Sequence, residues 1–300
     1  MRPALISASR SAAAPLLLAA CLLPAGAQAQ EKMTWLMPDV PPASMPVNGQ
    51  PTNGIADQVV RFIAERWPGA EHRYIYANAK RTWLMLEKGE PVCVAAALRT
   101  PERERFAHFT ITNLVPPIQL IAQEETIARL PLNALGEVDL PRALASQALR
   151  GIVVERRSYG PAVDAMIAKR PPTARLETTS VGDYGRNVLK LVAHGRADYT
   201  IDYDYSLQYS RQSEPGMGKL RAVPIAGNNR MMVAGLACPR NAWGRAAARR
   251  IDAIIGTREG AEAMLKAQNT WHTEATQQRY ARELQEFQRQ RARPNAAFPR

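Results

Sequence analysis

The chain has 300 residues, 46% of them hydrophobic, with 39 basic and 27 acidic side chains and a formal net charge of +12. That length exceeds a usual single domain and can bury a large core, so two lobes are expected. Four histidines, at positions 72, 108, 194 and 272, and three cysteines show no Cys-x-x-Cys or His-x-x-x-His spacing, which argues against a metal site.

In chain order, residues 1–29 read as a secretory signal peptide. Arg2 and Arg10 stand without an acid, an apolar centre runs from Ala12 to Leu23, and Ala27-Gln28-Ala29 gives the small-x-small cleavage pattern. The centre contains Pro15 and falls short of the about 20 apolar residues that a spanning helix needs. Leu18-Ala19-Ala20-Cys21 resembles a bacterial lipobox, so a lipid anchor at Cys21 is the alternative to simple cleavage after Ala29, which the continuing run Leu22-Leu23 favours. The expectation is an exported, periplasmic chain that touches a membrane only through that anchor. Without Arg2 and Arg10 a net charge of +10 remains. A charge of this size raises nucleic acid as a partner, but export argues against one and solubility accounts for it.

The strand Met33 to Met37 ends at Pro38 and Asp39, which delivers a loop at the carboxyl edge of a sheet. Ile55, Val59, Ile63 and Trp67 share one face of the next helix, which Pro68-Gly69 stops. The strand HRYIYA, the helix KRTWLMLEKG with Gly89 at its end, and the non-alternating strand PVCVAAAL follow. This strand-helix alternation predicts an α/β lobe with a largely parallel sheet, whose ligands bind beyond the carboxyl ends of the strands. A second α/β pattern starts at the strand Ile152 to Glu155 and repeats through a helix, Gly195 and the strand Tyr199 to Tyr203. Asn229 to Asn241 reads as a strand going back, and the remainder is helical. The economical division is lobe one over residues 30–117 and 229–276, lobe two over 118–228, two crossings between them, and a basic C-terminal helix and tail over 277–300. The tail carries six arginines against two glutamates and reads as a polar helix face that frays into a basic end. With Cys21 lost in the signal, Cys93 and Cys238 remain; an even number in an oxidising compartment reads as a disulfide, two buried thiols being the alternative.

The stretch LRTPERERF, Leu98 to Phe106, places five charges directly after the uncharged run VCVAAA. Thr100 as N-cap, Pro101 at the first helical position and Glu102 behind it form a helix start. Arg103 does not suit a first turn as a cation, and beside free N–H groups at a strand end it suits a carboxylate. A solvated salt-bridged face of Arg103 and Arg105 with Glu102 and Glu104 is the rival reading. Asp39 is either a ligand contact or a turn residue, Tyr159 either a packed aromatic or a ligand stack. With period two, Tyr199, Ile201 and Tyr203 face one way and Thr200, Asp202 and Asp204 the other, which favours Asp202 for the cleft. Trp83 and Trp243 sit in helical patterns and read as core.

These motifs resemble the family 3 extracellular solute-binding proteins. Gly54-Ile55-Ala56-Asp57, Gly89, Thr100-Pro101-Glu102-Arg103 and His108-Phe109-Thr110 stand where that family has its first-lobe motifs, and Gly195-Arg196-Ala197-Asp198-Tyr199 matches its second-lobe motif. The likeness is particularly near to an exported subgroup with Pro-Asp-x-Pro-Pro near the start and a cysteine at each of the two places found here. It implies a two-lobed periplasmic-binding-protein-like fold of type II, with lobe one discontinuous, acting as a monomer on a small solute for an ABC permease or a membrane sensor, without a cofactor. Arg103 would hold a ligand carboxylate, and the strand end at Asp202 or Tyr203 would receive an amine. Ala96 and Leu98 replace the small hydroxyl residues of amino-acid receptors and Val40 replaces an aromatic, so a carboxylate-bearing, amino-acid-like solute is implied more firmly than an amino acid itself. The same fold serves periplasmic dehydratases, which makes an enzyme the alternative, and the basic tail leaves a protein that coats an anionic surface as a third reading.

Overall fold

Strand β1 (Glu31–Met37) opens the first sheet, and α1 (Ile55–Glu65), β2 (Ala70–Tyr76), α2 (Ala79–Glu87) and β3 (Val92–Leu98) follow it in the computed structural model, which describes residues 31–38, 40–180 and 187–294. The segment expected to be a signal, with Cys21, lies outside the described residues, as do Asp39 and the last six residues. β1 pairs in parallel with both β2 and β3. The chain then runs through the short helix α3 (Pro101–Glu104) into β4 (Ala107–Val115), a strand not separated out in the sequence pattern.

Residues 116–118 cross to a second sheet. Its elements are β5 (Gln119–Gln123), α4 (Glu124–Ile127), α5 (Leu140–Ala145), β6 (Gly151–Val154), α6 (Pro161–Ala168), β7 (Leu176–Thr179), α7 (Val188–Ala193), β8 (Tyr199–Asp202), α8 (Asp204–Ser213) and β9 (Leu220–Pro224). The strand order is β7-β6-β8-β5-β9, with β6 parallel to β7 and β8, and β5 antiparallel to β8 and β9. The strand expected to reach Tyr203 stops at Asp202, because α8 starts at Asp204 and buries Tyr205 and Leu207.

The chain returns through β10 (Met232–Pro239), which inserts antiparallel between β3 and β4 to give the order β2-β1-β3-β10-β4. Both sheets are therefore mixed, and the parallel part of the first is confined to β2, β1 and β3. Cys93 on β3 and Cys238 on β10 form a disulfide across 145 residues of sequence. The loop-entropy estimate for a closure of this length is about 5 kcal/mol. Both cysteines lie in the core with Trp35, Val60, Ile63 and Ile251, on one face of the sheet.

The two crossings are tied together, since Asn228 Nδ2, on a buried side chain in the returning crossing, donates to the Ile118 carbonyl in the outgoing one at 2.8 Å. α9 (Ala242–Ile255) and α10 (Arg258–Asn269) then pack on the first sheet, and α11 (Glu274–Arg279) and α12 (Ala281–Arg291) complete the described chain. Strand β4 is the sheet's edge, where unpaired backbone groups invite association. Two side chains take those groups: Gln268 Oε1 of α10 accepts from the Leu114 N–H at 3.0 Å, and Arg291 Nε of α12 donates to the Ile111 carbonyl at 2.8 Å.

Arg291 is also ion-paired with Asp252 of α9, and both side chains are buried. The C-terminal segment is thus not a fraying basic end throughout. Its last helical turn is anchored in the first lobe, because one of its arginines has a buried carboxylate to meet. Breaking a buried pair from one side is strongly destabilising, so Arg291→Ala is expected to lower unfolding stability in urea by about 3 kcal/mol. Arg289→Ala, which removes only an exposed pair with Glu286, should leave the urea midpoint nearly unchanged.

Candidate functional site

The loop after β1 is held from below by Asp57, one turn into α1. Its carboxylate accepts from Ser44 Oγ (2.6 Å), Met45 N (2.8 Å) and Gly54 N (3.0 Å). Gly54 has no room for a side chain, since a Cβ there would stand 2.6 Å from the Ser44 backbone and 2.7 Å from the Ala43 carbonyl oxygen. The Gly-Ile-Ala-Asp motif therefore fixes the loop carrying Pro38, Val40 and Ala43 at the carboxyl end of β1. At the end of β3, Ala96 has a left-handed backbone (φ 55) where the pairing with β10 shifts register. That bulge turns Ala96 out of the sheet.

Arg103 is buried, 7% exposed, with its guanidinium carbon 3.9 Å from the centroid of the Trp83 ring. Nη1 donates to the Leu98 carbonyl at 3.0 Å, and Nη2 reaches the Arg156 carbonyl of the other lobe at 3.5 Å. Helix α3 is only four residues long, and Thr100 Oγ1 itself accepts the Arg103 N–H at 3.3 Å. The free N–H groups expected at this helix start thus make no anion site. Arg103 is held by an aromatic face and carbonyl oxygens instead. Trp83, read as core, is the platform on which it lies.

The second lobe answers with the turn after β6. Arg156 takes a left-handed conformation (φ 59), which sends its side chain to Glu87 of α2 and its neighbour Arg157 back toward the end of β8. Lys80 of α2 pairs with Glu155 at 3.2 Å, so two ion pairs join α2 to this turn. Arg157 grips Asp202 with both Nη atoms, at 2.6 Å to Oδ1 and 3.2 Å to Oδ2, and Oδ1 also accepts the Tyr203 N–H at 2.8 Å. Burial disfavours the Arg157 charge, but the Asp202 carboxylate, with Tyr159 and Tyr203 beside it, holds the guanidinium above its ordinary value. Asp164 accepts from Ser158 Oγ and the Tyr159 N–H and so fixes the following loop. Burial raises the Asp164 carboxyl above its usual value, against those two hydrogen bonds and the charge of Arg103.

Between the lobes lies a small cavity of ≈ 80 Å³. Lobe one lines it with Pro38, Val40, Ile55, Ala96, Leu98, Arg103 and Asn113, and lobe two with Arg157, Ser158, Tyr203 and Tyr205. A wider recess of ≈ 450 Å³, bordered by Thr100, Glu102, Arg156 and Asp164, touches the same two arginines. A larger recess, ≈ 980 Å³, lies elsewhere, between α12 and the β4 edge.

The sequence-derived residues are thus sorted by the tertiary structure. Arg103 and Tyr203 line the interlobe cavity, and Thr100 lines the recess outside it. Asp202 stands at the expected strand end but is occupied by Arg157. Tyr159 is packed in the second core, and its hydroxyl accepts the Val154 N–H at 2.7 Å. Burial pushes that phenol up to about 12. Asp39 lies outside the described residues. Arg157, Asn113 and Asp164 were not singled out from sequence. Arg157 had a signal, as a cation two positions beyond the carboxyl end of a predicted strand; Asn113 had none, being carried by an antiparallel strand.

Behind the cavity an aromatic stack leads to the C-terminal segment. Tyr203 stacks on Tyr205 with centroids 4.8 Å apart, and Tyr205 stacks on His272 at 5.5 Å. Thr273 and Thr276 donate their hydroxyls to Asp204, each at 3.0 Å. The segment after α10 therefore joins lobe two at the start of α8. Neither ring nitrogen of His272 has a hydrogen-bond partner, and burial lowers its pKa from 6.5 to about 4, with Asp204 opposing. Because the unfolded chain binds this proton first, stability is complete above pH 6.5 and falls as the pH drops toward 4. The slope from this one group approaches about 1.4 kcal/mol per pH unit within that window. His272→Phe keeps the stack and should flatten the melting temperature between pH 6.5 and 4 relative to the parent chain.

No protein-family model matches this sequence, and a search of curated proteins returns no match. Solved structures do match in fold. A structure described for glutathione import and the cystine ABC importer of Streptococcus mutans superposes with a TM-score of 0.64 at 12% identity, covering 81% of this chain and 95% of that one. A mutant of ArgBP from T. maritima gives 0.61 at 13% identity over 81% and 95%. The periplasmic VFT2 domain of Bordetella pertussis BvgS gives 0.58 at 17% identity over 81% and 94%. The chain has the two-lobed α/β fold of these periplasmic-binding-protein-like domains.

Proposed function

We propose that this chain belongs to the family 3 solute-binding proteins and works as an exported binding protein. Lobe one, from residues 30–117 and 229–276, closes with lobe two, from 118–228, on a small carboxylate-bearing solute. The observation that carries the reading is the interlobe cavity with a buried guanidinium, Arg103, laid on Trp83 at its wall. A buried arginine is a two-pronged donor suited to a carboxylate. The likeness in fold to ABC-importer proteins and to a sensor domain supports a membrane transporter or a membrane sensor as the partner that reads closure. The weak exposed ion pairs of Lys80 and Arg156 across the cleft suit a hinge motion about the two crossings.

The dehydratase alternative requires a general acid or base at the reacting centre. Among the described residues, the cavity lining offers arginine, asparagine, serine and tyrosine, while Asp202 is turned to Arg157. This supports binding over catalysis. The signal-like segment and the likeness in fold support export, and no helix of the described residues is long and apolar enough to cross a membrane.

Thermal unfolding of the purified protein against amino acids, short peptides and small carboxylates tests the reading, with Arg103→Ala in parallel. A ligand at 100 times its dissociation constant adds about 2.7 kcal/mol, which appears as a raised midpoint. The expected outcome is at least one raising compound whose effect is lost in Arg103→Ala. A shift that survives in the variant, or no shift with any compound, overturns it.

A further inference from the structure

In receptors of the proposed kind an acid at the end of this second-lobe strand is expected to meet the ammonium group of the solute. Here that acid is Asp202, and its carboxylate already accepts two N–H groups from Arg157 and one from the Tyr203 backbone. The pair is deeply buried, its side chains 10% and 4% exposed. Seating a ligand ammonium against Asp202 would displace Arg157 and leave a second cation beside the first, with its charge uncompensated. A buried charge in that state is strongly unfavourable. An ammonium at this wall is therefore opposed, not only unassisted.

Arg157 also has a second face. Five N–H donors radiate from a guanidinium, and the two Nη atoms that hold Asp202 use only part of that set. Arg157 and Arg103 line the same ≈ 80 Å³ cavity from opposite lobes, with Asn113, Ser158 and Tyr203 between them. Among the described residues that line it there is no carboxylate. Arg157 is balanced by Asp202 and Arg103 lies near Asp164 outside the cavity, so what a ligand meets inside it is two guanidinium faces, one from each lobe. The neutral polar groups nearby suit a hydroxyl or a carbonyl on the same small molecule.

Resting on the solute-binding reading, we propose that the cleft selects a small carboxylate without an ammonium group, a hydroxy acid or a keto acid, and that Arg157 sets this selectivity by occupying Asp202. Arg103 takes the carboxylate. Arg157 excludes the amine and donates to the neutral oxygen beside it.

The test compares molecules that differ at one group. Lactate and pyruvate are measured against alanine, and malate against aspartate, by calorimetry and thermal unfolding of the purified protein at one pH. The expected result is that at least one hydroxy or keto acid binds about tenfold or more tightly than its amino counterpart, since a like charge brought against a buried cation is repelled. Arg157→Gln, which frees Asp202 to face the cavity, should narrow or reverse that ratio. Equal or tighter binding of the amino member in the parent protein overturns the inference while leaving the solute-binding reading intact. Binding by no member of either set also overturns it, and the broader panel with Arg103→Ala then decides separately whether the solute-binding reading stands. The parent comparison does not depend on the variant folding. If Arg157→Gln folds and leaves the ratio unchanged, Arg157 is not the selectivity element.

Discussion

A guanidinium and a carboxylate taken out of water together, as Arg157 and Asp202 are, must remain together, because either one alone would be a bare charge in a poorly solvating interior. This constraint organises the cleft face of the second lobe. It ties the turn after β6 to the end of β8, so that Ser158 and Tyr203 come to the cavity at fixed positions. It also requires the left-handed Arg156 between them, which in turn aims one side chain at α2 of the first lobe. A single buried pair thus couples the local turn, the lining of the cavity and the contact across the cleft.

The contacts that hold the lobes together are of a different kind. Lys80–Glu155 and Glu87–Arg156 are partly exposed pairs, each worth on the order of 1 kcal/mol or less. The long hydrogen bond from Arg103 to the Arg156 carbonyl adds little by itself. The permanent connections lie at the crossings, where Asn228 joins the two chain passages, and at the clasp of Thr273 and Thr276 on Asp204. Strong fixation at one end and weak fixation at the mouth is the arrangement in which a modest ligand energy can shift the balance between open and closed. The stack from Tyr203 through Tyr205 to His272 places the cavity wall in contact with the clasp.

Much of this was legible in the sequence for definite reasons. The period of apolar residues in α1, the punctuation at Pro68-Gly69 and Gly89, and the uncharged run before Leu98 identify the α/β units, since each reflects a local rule of helix or strand. The Gly54 to Asp57 motif could be placed at a helix start, although its task of clamping the preceding loop was not visible. Arg103 stood out because a cation in a first turn opposes local electrostatics. The helix start inferred beside it contributes little, because α3 is four residues long and Thr100 takes the Arg103 N–H, and the groups that steady the arginine include Trp83, some twenty positions earlier. Thr100 was placed correctly as an N-cap and lies outside the interlobe cavity. Tyr159, weighed between packing and stacking on a ligand, is packed.

What the sequence determined by itself is therefore whatever depends on near neighbours along the chain: the α/β units, their caps and breaks, and a charged anchor at a strand end. The lining of the cavity, the occupation of Asp202 by Arg157, the insertion of β10 between β3 and β4 and the docking of Arg291 on Asp252 were decided only by the tertiary structure. Each joins residues whose separation in sequence carries no periodic signal, 45 positions for Arg157 and Asp202 and 39 for Asp252 and Arg291. A buried charge announces that it needs a partner, but only the packing of distant elements selects which one it finds.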